Sequence, residues 1–201
     1  MAAEMPGVPV VRRGQDCVCD VAAVCWPAQA IRDFAAAHPL GARGTKVAFC
    51  NGVWAAEEGA DHVGICYVRA VHLGDMATPG RKGWRVGSGP VADVLRAAGL
   101  GVVCSRGDHL GELWGKALYL LPLALACAER GGLTGRTVTD TEEYAEWYGV
   151  VRCRAVVAIG EEAVARREDR VKFLIGRTPR GWSPSPSEEE LAYFRGKLCA
   201  D

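Results

Sequence analysis

The sequence predicts an α/β fold followed by an all-α fold. Two short, continuous apolar runs, at residues 20–25 and 46–50, are separated by a segment of helical character. Runs of this kind are typical of strands buried on both faces of a parallel sheet and joined by a right-handed crossover helix. The second half begins with residues 110–128, which are apolar on nearly all sides of a helix. That pattern predicts a buried helix.

The first half divides into elements as follows. Residues 1–15 contain prolines and glycines and read as an extended lead-in. A strand is expected at 20–25, followed by a helix at 28–37 that opens after Pro27, and a second strand at 46–50 that ends at Asn51-Gly52. Together these elements form a βαβ unit.

Further strands follow the βαβ unit. Residues 62–73 are rich in Val, Ile and Tyr and predict one long strand, which pairs in a hairpin with a short strand at 83–86. A helix is expected at 90–98, with Gly99 as its C-cap, and a short strand at 101–104.

The second half is expected to be helical. The helix at 110–128 contains Pro122, which predicts a kink, and Gly131-Gly132 ends it. Thr139-x-x-Glu142 fits a capping box that opens a long amphipathic helix to about residue 167. Residues 177–187 are Pro-rich and predict an irregular tail, and residues 188–198 a short helix.

Composition limits the classes of function. The 201 residues carry 24 Lys+Arg and 24 Asp+Glu, so the formal net charge is zero and no basic surface for nucleic acid is indicated. The longest uncharged apolar run is too short to predict a transmembrane segment. The N-terminus lacks the pattern of a secretory signal. We expect an intracellular protein of the cytosol or an organelle matrix, mitochondria included.

The nine cysteines predict reduced thiols in a reducing compartment. Their number is odd, and most of them lie within apolar runs, where cysteine behaves as a small buried hydrophobe. Cys17 and Cys19 form the one close pair, and no second pair or nearby histidine completes a zinc site. The four histidines are scattered along the chain. We therefore predict no metal site.

Several residue strings occur in an order that resembles the ketopantoate reductases, the NADP-dependent 2-dehydropantoate 2-reductases. They are the Asp20–Cys25 run, Asn51-Gly-Val-Trp-Ala-Ala-Glu-Glu58, the Gly87-Ser-Gly89-Pro90 turn, and Glu112-Leu-Trp-Gly-Lys116 at the start of an apolar helix. The resemblance covers roughly residues 16–165. It implies a partial Rossmann-like parallel sheet that lacks the N-terminal nucleotide-binding half, plus a small helical domain.

The resemblance also implies domain boundaries and site residues. An extended lead-in at 1–15 precedes a partial Rossmann-like domain at 16–107, a helical domain at 108–176 and a Pro-rich tail at 177–201. By resemblance, Asn51 and Gly52 lie on the cofactor side. Lys116 matches the catalytic lysine, which acts as general acid toward the ketone oxygen.

Departures from the family's pattern argue against catalysis. The Gly-rich motif with which the family binds the cofactor pyrophosphate has no counterpart before the first matching strand. A family lysine after that strand is replaced by Pro27, or by Trp26 under a one-residue shift. Leu120 stands where the family has a substrate-binding asparagine. Without a dinucleotide no hydride is supplied to a ketone beside Lys116.

The loop at residues 84–92 offers a competing interpretation. Its Gly87-Ser-Gly89-Pro-Val-Ala92 string fits a dinucleotide fingerprint in outline, with Arg106 placed to meet a 2′-phosphate. However, Pro90 removes one backbone donor, and the following helix is barely ten residues long. We therefore favour the interpretation that these glycines form a turn and do not bind a dinucleotide.

The sequence therefore leads to a noncatalytic ketopantoate reductase-like protein that serves as a structural or accessory subunit of a larger complex. Tryptophan is enriched at protein interfaces, and Trp182 and Trp54 are the candidate partner contacts. No cofactor is expected, and other protein subunits are the expected partners. The alternative is an NADP-dependent 2-keto acid reductase, either by itself or completed by a second chain that supplies the nucleotide-binding half.

Overall fold

The computed structural model describes part of the chain, in two compact units. The described residues are 21–24, 31, 45–48, 53–55, 57–60, 62–67, 70–75, 92–93, 97, 102–104, 109–131, 133–179 and 181–200. One unit comprises residues 1–50 and 54–104, and the other comprises 51–53 and 105–201. Each unit is described separately below.

Among its described residues, the first unit contains five short strands in one sheet. They are β1 (Val21–Val24), β2 (Thr45–Ala48), β3 (His62–Tyr67), β4 (Ala70–Asp75) and β5 (Val102–Cys104). Their order in the sheet follows the chain, and β3 pairs with β4 in antiparallel fashion while the other neighbours run parallel. Ile31, Ala92, Asp93 and Ala97 are helical.

The predicted partial Rossmann-like parallel sheet is wrong. Of the residues whose side chains the structure describes, 75% lie in helices, and these helices form a bundle-like unit. The long strand expected at 62–73 is also wrong, because it divides into β3 and β4, which pair with each other. Only two residues separate these strands, and a parallel pairing would need a crossover of a dozen residues or more. The sheet is therefore mixed.

Some predicted elements lie outside the described residues. These are the lead-in at 1–15, the strand at 83–86 and the glycine loop with Gly87 and Gly89.

In the described residues from 109 onward, the second unit contains four helices and one short 3-10 helix. They are α1 (His109–Arg130), the 3-10 helix Val138–Asp140, α2 (Glu142–Ile159), α3 (Glu161–Arg177) and α4 (Glu188–Cys199). The predicted helices at 110–128 and 188–198 are confirmed as α1 and α4. Gly131 follows α1 with a φ of 58°, a conformation that glycine adopts without a steric cost.

The core of this unit is built around α1. Leu118, Leu123 and Leu125 are fully buried, and Pro122 lies within the helix without ending it. One cluster joins the end of α1 to the elements that follow it, and its buried members are Leu123, Ala126, Cys127, Val138 and Tyr144. Burying apolar surface on every side of α1 requires neighbours on every side, which α2, α3 and α4 supply.

The long helix expected from residue 139 to about 167 is wrong, because it is two helices. Gly160 separates α2 from α3 with a φ of 84° and a ψ of 154°, outside the helical range. Its N–H donates to the Val156 carbonyl at 2.8 Å, and its carbonyl accepts from the Val164 N–H at 3.1 Å. The helix also begins later than the sequence suggested: the N-cap is Thr141, whose hydroxyl accepts from the Tyr144 N–H.

Residues 178–187, the linking segment, connect α3 to α4 along the bundle. Its described residues, 178–179 and 181–187, form neither helix nor strand, which confirms an irregular segment there. The Trp182 carbonyl accepts from the Gly135 N–H at 2.9 Å. A methyl group on Gly135 would lie 3.2 Å from the Trp182 ring carbons Cε3 and Cζ3. The Trp182 ring thus packs directly on Gly135, and any larger residue at this position would have to displace the ring.

Two glycines provide a matched test of this packing. Gly135→Ala should lower the free energy of unfolding by about 1–3 kcal/mol, because the new methyl group overpacks against Trp182. Gly149→Ala, within α2, has no atom within 4 Å of its new methyl group. It should raise stability by about 0.5–1 kcal/mol. Urea denaturation of both variants measures this, and a neutral Gly135→Ala would contradict the packing.

An ion pair between the end of α1 and the start of α2 predicts a pH dependence. Arg130 Nε lies 2.9 Å from Glu143 Oε1, and this hydrogen bond lowers the pKa of the Glu143 carboxyl. Because the pKa of Glu143 is lower in the folded protein than in the unfolded chain, ionisation of this carboxyl stabilises the fold at pH values above the ordinary carboxyl pKa. That contribution is lost as the pH falls through the lowered pKa of the folded state. Urea midpoints of the wild type and Glu143→Gln should therefore differ near neutral pH and converge in acid. Arg130→Gln should behave as Glu143→Gln does, and a difference that persists in acid would contradict the assignment.

Candidate functional site

Lys116 lies on α1, two turns from the start of the helix. Its neighbours Leu113, Trp114, Ala117 and Leu118 are buried, and these positions fix the face that α1 turns toward the core. Lys116 falls between the buried and the exposed sides and is half-buried. The stem of such a lysine can pack on apolar surface while its ammonium group remains near water.

Charged side chains from α3 reach the same part of α1. Arg170 Nη1 donates to Glu112 Oε2 at 3.1 Å, and Glu112 precedes Lys116 by one helical turn. The Arg167 stem crosses Gly115, where a built methyl group would lie 3.1 Å from Arg167 Cδ. Arg167 Nη1 donates to the Ala163 carbonyl at 2.7 Å. The Arg170–Glu112 bond and the Arg167 stem join α1 to α3, while the bond to Ala163 lies within α3.

The turn after Lys116 offers little for binding a polar substrate. Leu120, which stands where the resemblance implies an asparagine, is a half-buried apolar side chain. The Tyr119 hydroxyl is bonded to Thr178 Oγ1 at 2.8 Å, and residues 121–127 are all buried. A 2-keto acid needs hydrogen-bond donors for its carboxylate and its ketone, and this stretch of α1 supplies none beyond Lys116.

Of the other predicted site residues, the structure describes Trp54 and Trp182. Asn51 and Gly52 are outside the described residues. Trp54 lies in a turn and is only 7% exposed, so it has little surface to offer a partner. Trp182 is 37% exposed, with part of its ring against Gly135. Its free surface keeps it a candidate partner contact.

The described residues give no sign of a metal centre. Within them, no group of three or more His, Cys, Asp or Glu side chains is placed to hold an ion. Cys127, Cys153 and Cys199 are free thiols. Burial raises the pKa of the Cys127 thiol, against which a hydrogen bond with Ser183 acts in the opposite direction. A thiol of this kind is a packing residue and a poor nucleophile.

The outer face of α2, formed by Ala145, Gly149, Cys153, Val157 and Ala158, was missed by sequence reasoning. All five residues are exposed, and Val157 is 84% exposed. The outer face of α3 is mostly charged: it presents Glu162, Arg166, Asp169 and Lys172 beside the exposed Phe173. The spacing of four residues between Ala145, Gly149, Cys153 and Val157 is visible in the sequence. What it could not show is that this row faces away from the core.

An ion network holds α2 against α3 on another side. Arg152 Nε donates to Glu168 Oε1 at 2.8 Å, and Arg152 Nη2 also bonds Glu161. These bonds raise the pKa of the Arg152 guanidinium. The Tyr148 hydroxyl donates to Glu168 at 3.4 Å. The pKa of the Tyr148 hydroxyl is raised, mainly by burial and next by the negative charge of Glu168. Arg152 is thus bonded within the bundle, while Glu142 and Glu146 remain exposed near the uncharged residues of the outer face.

Comparison with known proteins does not place the chain in a family. No protein-family model matches the chain, and no curated protein matches its sequence significantly.

Helix α1 is apolar and long enough to cross a membrane by length and composition. However, 67% of its most apolar window is buried within the protein, as in the core helix of a folded domain.

Proposed function

We propose that this protein is a noncatalytic, ketopantoate reductase-like accessory subunit of a larger protein assembly. The observation that supports this most directly is the exposed, uncharged outer face of α2, with Val157 at its most exposed point. Exposed apolar surface on a helix whose neighbour displays charge is typical of a protein-protein contact.

The surroundings of Lys116 favour a noncatalytic role. A general acid acts on a substrate that other groups hold in place. Lys116 is followed by Leu120 and by the continuous apolar surface of α1, while the nearby Tyr119 hydroxyl is bonded to Thr178. The arginines of α3 bond Glu112 and the Ala163 carbonyl. Lys116 is best explained as a half-buried lysine on the side of a core helix.

Charge indicates that the partner on α2 is a different protein. If two copies paired through α2 in parallel, Glu142 and Glu146 would face their own counterparts. If they paired antiparallel about residue 151, Glu142 would approach Glu161 of the second copy. Like charges meet in both arrangements, which disfavours self-association. We therefore propose as occupant an apolar helix of another protein, with basic residues at the end that meets Glu142 and Glu146.

The partner contact can be tested with two matched carboxylates. Val157→Glu places a charge on the apolar face of α2, and Ala165→Glu places one on the charged outer face of α3. The full tagged chain, isolated from its native cells, should co-purify with a stoichiometric partner. Val157→Glu should lower the amount of bound partner at least tenfold, because burying an unpaired carboxylate in the contact is costly. Ala165→Glu should leave the amount of bound partner unchanged. The purified pair should reconstitute with the same dependence. A monomeric protein without a stoichiometric partner would contradict the proposed function.

The alternative, an NADP-dependent 2-keto acid reductase, is favoured by one observation. Lys116 is half-buried on α1, as a catalytic lysine would be. Under our proposal the purified protein should not oxidise NADPH with ketopantoate above the background rate, and Lys116→Ala should leave that rate unchanged. Absorbance of NADPH measures both. Turnover that Lys116→Ala abolishes and Lys116→Arg reduces would establish the reductase instead.

A further inference from the structure

The linking segment between α3 and α4 presents three serines to solvent. Ser183, Ser185 and Ser187 are all exposed, and Pro184 and Pro186 directly follow the first two. Within residues 178–179 and 181–187 the chain forms no regular structure. Thr178 (φ −58°, ψ 126°) and Ser187 (φ −68°, ψ 161°), at its two ends, have extended backbones. Proline also restricts the residue before it to an extended conformation. This is the shape that an enzyme groove accepts from a protein substrate.

Two of the three hydroxyl groups are already engaged. Ser183 Oγ donates to the Pro184 carbonyl at 3.2 Å and is hydrogen-bonded to the buried Cys127 thiol. Ser187 is the N-cap of α4: its Oγ accepts from the Glu190 N–H at 3.2 Å, while the Glu190 carboxylate accepts from the Ser187 N–H at 3.0 Å. Modifying either hydroxyl would break a contact that holds the segment or the helix.

Ser185 differs from both neighbours. In the part of the chain that the structure describes, its side chain makes no hydrogen bond, and it is exposed between two prolines. Trp182 anchors the segment on one side through Gly135, and the capping box of α4 anchors it on the other. Ser185 is therefore held out on a short, fixed and extended stretch, with a free hydroxyl and a proline immediately after it.

We propose that Ser185 is a phosphorylation site for a serine kinase that recognises serine followed by proline. In the reaction, Ser185 Oγ bonds to the γ-phosphorus of ATP, and the bond from that phosphorus to the bridging oxygen of ADP breaks. ADP leaves, and the hydroxyl proton passes to the base of the kinase. The product carries about −1.5 to −2 charges at neutral pH. Since the exposed Ser185 side chain makes no hydrogen bond in the described bundle, the phosphate changes the surface without unfolding the protein.

The experiment uses the intact protein and a purified proline-directed serine kinase with labelled ATP. Mass spectrometry of the digested product should show one phosphate, on Ser185. Ser185→Ala and Pro186→Ala should each lower incorporation at least tenfold, while Ser183→Ala and Ser187→Ala should retain it. The melting temperature of the phosphorylated protein should shift by less than about 2 °C.

Two results would overturn the proposal. One is phosphate mainly on Ser183 or Ser187, which would show that the engaged hydroxyls are the accessible ones. The other is an intact protein that stays unmodified while a synthetic peptide of residues 179–191 is phosphorylated, which would show that the fold withholds the segment. Neither result bears on the partner face of α2, so this proposal and the proposed function succeed or fail separately.

Discussion

The helical unit depends on burying α1, whose residues 121–127 are covered on all sides. Leu113, Leu118, Leu121, Leu123 and Leu125 are all buried, and a fully buried leucine contributes roughly 1.5–3 kcal/mol relative to an exposed one. A helix with an apolar surface all round has no side to leave in water. This requirement explains why three further helices follow it and why the linking segment returns to the turn at Gly135. The outer helices can vary in composition because each has only one face to bury.

Polar contacts in this unit determine which neighbours meet and supply little of the stability. Glu129, near the end of α1, accepts from Trp147 Nε1 at 3.0 Å and from Arg195 Nη2 at 3.2 Å, which joins α2 and α4 to α1. Arg154 Nε donates to the Leu198 carbonyl at 2.9 Å and closes the end of α4. Exposed ion pairs contribute little on average, but a carboxylate shared by two helices fixes their positions along the third. Burial thus provides the energy, while these contacts provide the register.

The sequence was informative where one local rule decided the outcome. The apolar run of α1 predicted that helix, because the pattern of burial is visible within a few turns, and the helix expected at 188–198 is also present. The break at Gly160 was missed because one glycine within a helical pattern is tolerated as often as it is decisive. The division of residues 62–73 into two strands depends on pairing between them, which a single apolar run does not reveal. The outer face of α2 was missed for a similar reason: exposure depends on which neighbours a helix acquires.

Gly160 is the single residue that connects α2 to α3. Both helices use the same residue, one through its N–H and the other through its carbonyl. The angle between them is therefore set by the two dihedrals of one glycine, and any side chain there would have to adopt a φ that L-residues avoid. An added loop residue at this point would rotate α3 about its axis and turn its charged face inward. Insertions and deletions in homologues of this chain should therefore occur in the linking segment and not at Gly160.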